Sequence, residues 1–374
     1  MMPETKPDLS FTNKICNACI NFSNRKNIDW KKRKKELLII LEKSKNKTNS
    51  NWDCIIPVSG GKDSTYQVVT AIELGINPLC VTSVTCDFSE IGRRNLNNIK
   101  KLGVDLIEIG PDLITRNILN KIGLLELGDI SWPEHVGIFT IPVRVAVNFN
   151  IPLILWGENS QNEFGGPVGK EKNNILNRQW LEEFGGLIGM RVSDLTNFEN
   201  INNKNLIVYT YPSDKELQKV KVTGLFLGHY LPWDGQHNAE VAIKNGFECF
   251  KTKVEGSLLN YENLDNHQSG IHDYFKFLKF GFSRTTDQAC LAIRRGRISR
   301  DKAKDLIIKY DGKFPKAYLG KSLKEILKPL NLNLKEFEAC CDKFTNKNLF
   351  LKNKKGELAK DKDGSLTKIN YDNI

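Results

Sequence analysis

Six consecutive residues, Ser59-Gly60-Gly61-Lys62-Asp63-Ser64, bring two glycines, a lysine, a carboxylate and two hydroxyls together directly after the apolar run containing Ile55, Ile56 and Val58. The glycines free the backbone to turn tightly and to approach a ligand closely. The stretch Tyr66–Leu74 has the apolar spacing of a helix, with Ser64 or Asp63 as its expected cap. A strand, a glycine turn and a helix start form an anion site, because unpaired N–H groups and the helix dipole both favour negative charge. Lys62 adds a full positive charge, so the expected guest is a phosphate or pyrophosphate. A Walker A loop is excluded: Ile56 stands where its first glycine belongs, and Lys62 is followed by Asp63 rather than Ser or Thr. A carboxylate beside a polyphosphate implies Mg²⁺ between them. The bland alternative is a glycine turn with no ligand.

Other polar constellations follow apolar runs or precede amphipathic ones. In "WGENSQNEFGGP", Glu158, Asn159 and Glu163 follow the run "PLILW", where a carboxylate binds Mg²⁺ or orients a nucleophile; a surface turn is the alternative. Trp132, Glu134 and His135 stand just before a helix pattern and suit stacking on a ring or moving a proton, against a structural Trp with a satisfied His. Trp233 and Asp234, in "GHYLPWDGQHN", suit sugar recognition, while His229 and His237 make a weak metal pair. Lys279, Arg284, Arg294, Arg295 and Arg297 are candidate phosphate ligands, Lys279 and Arg284 first, because phosphoryl transfer needs cations against the leaving pyrophosphate.

The elements that must position these groups read as an α/β chain. Strands are expected over 53–58, 79–85, 105–109, 152–156 and 224–228, with helices over 66–74, 91–102, 112–121 and 139–148 between them. This alternation gives a doubly wound parallel sheet, which binds ligands at the carboxyl ends of its strands. Before it lie a loop-like segment containing Cys16 and Cys19 and a basic helix over 28–46. Between Arg25 and Lys47, ten basic residues against three acids leave +7. A solvated helix face explains that charge better than an RNA grip, because no aromatic residues alternate with the lysines. The expected organisation is 1–48 for the N-terminal segment, 49–297 for the α/β domain with an insertion around 160–222, and 298–374 for a C-terminal helical region ending in a polar hairpin or tail.

The 374 residues, 40% of them apolar, support a real core, and the formal charge is +11. No apolar run approaches the roughly 18 residues of a membrane helix. The first residues have no apolar stretch like that of a signal peptide, and the nine scattered cysteines fit a reducing cytoplasm better than a disulfide framework.

Ser59–Ser64 resembles the S-G-G-x-D-S loop of the PP-loop ATP pyrophosphatases (the adenine nucleotide alpha hydrolase-like fold). Their loop holds the pyrophosphate of ATP while a substrate oxygen attacks the α-phosphate. More narrowly, "VSGGKDS", "SWPEHVGIFTIPVRVAV", "IPLILWGENSQNEFGGP", "LGHYLPWDGQHN", "ENLDNHQSGIHDY", "KFGFSRTTDQA" and "IRRGRISR", over about Pro3 to Gly312, are similar to the N-acetyl sugar amidotransferase family of O-antigen and pseudaminic or legionaminic acid synthesis. The resemblance implies an ATP-dependent conversion of an N-acetyl group on an activated sugar into an acetamidino group. Ser59, Gly60, Gly61, Lys62, Asp63 and Ser64 would hold ATP with Mg²⁺. Lys62, Asp63, Glu158, Lys279 and Arg284 would carry catalysis. Trp132, Glu134, His135, Asn159, Glu163, Trp233, Asp234, His272 and Asp273 would face the sugar.

No glutaminase Cys-His pairing is visible, so the resemblance implies a separate glutaminase and a cyclase-like subunit as partners supplying ammonia. Neither membrane nor nucleic acid is expected as a partner. The family usually carries a second C-x-x-C upstream that completes a zinc ribbon. Here Cys16 and Cys19 supply half of such a site, so either zinc has been lost or the true start lies upstream. Some PP-loop thiolating enzymes bind an iron–sulfur cluster with three cysteines, for which Cys80, Cys86 and Cys290 are candidates against buried, inert thiols. A tRNA-thiolating PP-loop enzyme and a non-catalytic nucleotide-binding scaffold are the alternative functions.

Overall fold

The apolar runs alternate between two faces of one sheet, and that alternation builds both layers of the core. The computed structural model describes residues 2–45, 50–158, 160–165, 175–176, 187–198 and 201–369. Its main sheet contains β1 (Cys54–Pro57), β2 (Pro78–Ser83), β3 (Asp105–Ile109), β4 (Leu153–Trp156), β5 (Ile175–Leu176) and β6 (Thr223–Phe226). The order across the sheet is β3-β2-β1-β4-β6-β5. All neighbours are parallel except β5, which pairs antiparallel with β6 at the edge. The sequence gives no sign of β5, a two-residue strand within the irregular insertion.

Helices cover both faces. On one, Cys54, Ile56, Cys80, Leu155 and Leu225 meet Leu37 and Leu41 of α2 (Trp30–Lys45), Val68 and Ala71 of α3 (Lys62–Glu73) and Leu96 and Ile99 of α4 (Glu90–Lys101). On the other, Ile55, Leu79, Val81, Ile154 and Phe226 meet Ile141, Val143 and Val145 of α6 (Trp132–Asn148), which follows α5 (Leu113–Ile122). Burying each such side chain contributes roughly 1.5–3 kcal/mol before chain entropy is counted. The lysines at 31, 32, 34 and 35 are exposed while Leu37 and Leu41 are buried, so the basic face of α2 points to solvent.

Two helix starts differ from expectation. Neither Ser64 nor Asp63 caps α3. The helix opens at Lys62 with Gly61 as its N-cap and no side-chain cap. The Ser64 and Thr65 hydroxyls instead donate back to the Gly61 carbonyl, each at 3.0 Å. Helix α6 begins at Trp132, seven residues before the expected start, because Pro133 suits a first helical turn.

A second core gathers around α9 (Ser269–Phe280), with α12 (Leu323–Leu327) and α13 (Leu334–Phe344) packed on Tyr274, Phe275, Phe277 and Leu278. It draws residues from both sides of position 297. Between them, α10 (Arg284–Arg294) packs on α11 (Arg300–Tyr310) through Ala289, Ala303 and Ile307. The chain after α13 pairs through isolated bridges such as Phe350 with Lys368 and Lys360 with Leu366. At the other end, a small hairpin joins Phe11–Thr12 to Ile15–Cys16, and α1 (Asn17–Asn24) packs on α7 (Ser160–Phe164), just beyond β4. No helix among the described residues is long and apolar enough to cross a membrane.

Candidate active site

Strand order reverses at β1: β2 and β3 lie to one side, β4 and β6 to the other. In an open α/β sheet such a switch point leaves a crevice at the strands' carboxyl ends. A cavity of about 600 Å³ lies there, lined by all six residues Ser59–Ser64 together with Glu158, Glu163, Trp233, Glu262, Arg284, Arg295 and Arg297, among others. Its volume is typical of small-molecule sites. Gly60 has φ +80°, and a Cβ there would stand 2.6 Å from the Leu96 backbone nitrogen, so only glycine fits. The Gly61 N–H donates to Ser59 Oγ at 3.2 Å, which fixes the turn.

Lys62 lies among carboxylates. Its Nζ is 2.5 Å from Asp63 Oδ2 and 3.4 Å from Glu262 Oε1, with its side chain only 8% exposed. Burial acts to neutralise the amine, but the charges of Asp63, Glu262 and Glu158 outweigh it and raise the pKa above the usual lysine range. Asn238 of α8 (Gly235–Lys244) donates to the other Asp63 oxygen at 2.8 Å. Burial, then the neighbouring Asp63 charge, pushes the Glu158 carboxyl up to about 7. The Asp63 and Glu158 carboxylates beside a phosphate-shaped turn are a donor set suited to Mg²⁺.

An arginine wall faces this group. Arg284 forks onto Asp273, Nε to Oδ2 at 2.6 Å and Nη2 to Oδ1 at 2.9 Å, which locks its guanidinium at the cavity. Arg295 reaches Glu163 Oε2 at 3.1 Å and Asp234 Oδ2 at 2.6 Å. Arg297 donates to both Asp234 oxygens at 2.9 and 2.7 Å. Burial opposes the Asp234 charge, but Arg297 and Arg295 hold the carboxyl at about 2. Glu163 also accepts from Arg25 Nη1 at 2.8 Å. The N-terminal segment, the chain after β4 and the chain after α10 therefore meet at one carboxylate.

The remaining expected site residues lie elsewhere. Lys279 is not in the cavity: its Nζ donates to the Leu127 carbonyl at 2.9 Å, and its stem packs against the Gly128 turn. Trp132 is wholly buried, not exposed, and its Nε1 donates to the Leu187 carbonyl at 3.0 Å. Glu134 pairs with Arg116 at 3.4 Å and accepts from Asn120 at 2.9 Å. His135 and His272 both turn to Asp129. Asp273 acts on the cavity through Arg284. Asn159 lies outside the described residues. Residues that the sequence reading did not single out are Glu262, Asn238, Gln288 and Arg25. Glu262 opens the polar segment "ENLDNHQSGIHDY", a signal that could have marked it.

Among the described residues, Cys80, Cys86 and Cys290 do not gather into one ligand group. Cys80 lies inside the sheet, Cys86 hydrogen-bonds Asn120 at 3.2 Å, and Cys290 packs with Met2 and Phe282. Burial pushes Cys80 and Cys86 up to about 12 and Cys290 up to about 11, which suits inert thiols. Cys16 and Cys19 do meet. A hydrogen bond from Cys19 lowers the Cys16 thiol to about 5, and Arg294 adds a positive field. Among the described residues, no third His, Cys, Asp or Glu joins that pair in a ligand group.

Residues 247–362 match the family described as the C-terminal domain of the WbpG-like LPS biosynthesis proteins. That stretch carries Glu262, His272, Asp273, Arg284, Arg295 and Arg297, and the match agrees with the resemblance read from the sequence. No curated protein matches the chain. Among solved structures, NMN synthetase from Francisella tularensis is 13% identical over 52% of this chain and 92% of that one, with a TM-score of 0.27, too slight a likeness to carry an argument.

Proposed function

We propose that the chain is an ATP-dependent enzyme of sugar biosynthesis that activates the N-acetyl carbonyl of an activated sugar and exchanges its oxygen for ammonia nitrogen. The observation that carries this reading is the Ser59–Ser64 turn at the sheet's switch point, which opens a helix without a side-chain cap and lines one cavity with Glu158, Arg284, Arg295 and Arg297. An uncapped helix start with free N–H groups suits the outer phosphates of ATP. Asp63 and Glu158 would hold Mg²⁺, whose chemistry is to neutralise charge on the departing pyrophosphate.

An amide carbon is a poor electrophile, and the proposed chemistry removes that obstacle in two balanced steps. The amide oxygen bonds to the α-phosphorus, the bond to the β-phosphate oxygen breaks, and pyrophosphate leaves. Ammonia then bonds to the imidate carbon, the carbon–oxygen bond breaks, and AMP leaves with the original carbonyl oxygen while a proton is lost. Lys62 and the arginine wall stabilise charge that grows on the leaving groups. The match of residues 247–362 to an LPS biosynthesis family supports a sugar as substrate. Ammonia would come from a separate glutaminase with a cyclase-like subunit.

The test is pyrophosphate release from ATP with candidate N-acetyl sugars and ammonium, followed by mass spectrometry of the sugar. Release that depends on the sugar, with an amide oxygen replaced by NH, supports the proposal. Release only with tRNA, or tight ATP binding without release, overturns it.

A further inference from the structure

Outside the nucleotide cavity, Asp129, His135 and His272 bring their ligand atoms within 4.8 Å of one another. His135 stands in the first turn of α6 and His272 in the first turn of α9, so two elements far apart in sequence meet over one carboxylate. The backbone holds Asp129 firmly: its N–H donates to the Gly123 carbonyl at 2.9 Å, and its carbonyl accepts from Trp132 N–H at 3.2 Å. Asp129 is 3% exposed, while the two histidine side chains are 30% and 28% exposed, so solvent reaches the imidazole side of the group.

The contacts are unequal in an informative way. Asp129 Oδ1 accepts from Ser131 N–H at 3.0 Å and lies 2.7 Å from His272 Nδ1. Asp129 Oδ2 lies 3.3 Å from His135 Nδ1. That nitrogen is buried, and its contact with Asp129 falls outside good hydrogen-bond geometry. A separation of roughly 3.3 Å is the edge of a tetrahedron of nitrogen and oxygen ligands bonded at about 2.0 Å to a central ion. The two rings meet edge to face, with centroids 5.1 Å apart. Nearby charges are accounted for. Glu134 is engaged by Arg116 and Asn120, and Lys279, whose charge acts on Asp129, is anchored on the Leu127 carbonyl.

We propose that Asp129, His135 and His272 form a site for a first-row divalent metal ion, Zn²⁺ being the ion whose set of three protein ligands and one water it matches. Two imidazoles and a carboxylate satisfy a borderline-soft ion better than Mg²⁺, which demands oxygen ligands. Binding requires the short His272 contact to open toward the tetrahedral edge. It also requires both Nδ1 atoms to be unprotonated, so it releases protons and weakens at low pH. The site stands apart from the residues that line the nucleotide cavity. It lies one residue from Asp273, whose partner Arg284 lines the cavity.

The full-length protein, stripped with chelator and dialysed, is titrated with Zn²⁺ by calorimetry and with Co²⁺ by visible absorption. The Cys16→Ser/Cys19→Ser double variant is measured in parallel, because that thiol pair is the competing ligand candidate. The expected result is one equivalent bound by both proteins, with a tetrahedral cobalt spectrum lacking a thiolate charge-transfer band. His135→Ala and His272→Ala should each lose more affinity than the ~10–100-fold typical of outer-shell substitutions. If His272→Ala does not fold, His135→Ala carries the test alone, since its Nδ1 makes no hydrogen bond. Absence of binding at micromolar metal, binding that survives the histidine substitutions, or binding lost with the cysteines would overturn the proposal.

Discussion

At the residue scale, the site separates two lysines that the sequence makes look alike. Lys62 is held among Asp63, Glu262 and Glu158 at the phosphate turn, whereas Lys279 is spent on the Leu127 carbonyl. Lys62→Ala should therefore cut pyrophosphate release at least ~100-fold, as expected for loss of a preorganised cation. Lys279→Ala should change it less than ~10-fold, and steady-state assays of the two purified variants check both values. Glu158 gives a pH signature. Its carboxyl titrates near 7 when folded against an ordinary value of 4.5, so the folded protein binds the extra proton between those values. Its stability advantage is complete below the unfolded value and is lost as pH rises through 7. The shift corresponds to roughly 3 kcal/mol at most. Without ligand, Glu158→Gln should melt like the parent near about pH 4 and above it near about pH 8. A difference independent of pH would contradict this assignment. The glycine-lysine-aspartate turn was legible because its residue types and spacing are themselves chemical. Trp132 was not, because no local pattern distinguishes a Trp that stacks on a ligand from one that fills a core.

At the element scale, Glu163 of α7 joins three parts of the chain. It accepts from Arg25, which follows α1, and pairs with Arg295, which follows α10, while Arg294 donates to its carbonyl at 2.8 Å. Its side chain is 12% exposed, so removing it takes a buried carboxylate partner from Arg25 and Arg295, which keep the Trp233 carbonyl and, for Arg295, Asp234. Glu163→Ala should lower unfolding stability by roughly 2–4 kcal/mol and speed tryptic cleavage at Arg25. Urea melts and timed digests measure the two effects, and a wild-type melt would refute the junction. The strands of the sheet were readable to within two or three residues because buried parallel strands are continuous apolar runs. The start of α6 and the edge strand β5 escaped notice for different reasons. A proline masks the first, and the second is too short to show a period. The arginines were visible as candidate phosphate ligands because they cluster between 284 and 297, but their carboxylate partners Asp273, Glu163 and Asp234 come from separate elements and were not paired with them.

At the scale of the whole molecule, the α/β layer supplies the phosphate turn and Glu158, and the stretch 262–297 supplies Glu262 and the arginines that line the same cavity. Neither part alone makes the site. Packing around α9 draws on residues from both sides of 297, so a linear reading of domains says little about how the cavity is assembled. The charge of +11 is carried partly by lysines of α2 that point to solvent. The account rests on transfer of the substrate's carbonyl oxygen to the α-phosphate. An N-acetyl sugar labelled with ¹⁸O in that carbonyl, turned over with ATP and ammonium, reads this out directly. The account predicts AMP carrying the label and unlabelled pyrophosphate. Label retained in the sugar, or formation of ADP in place of AMP, would contradict it.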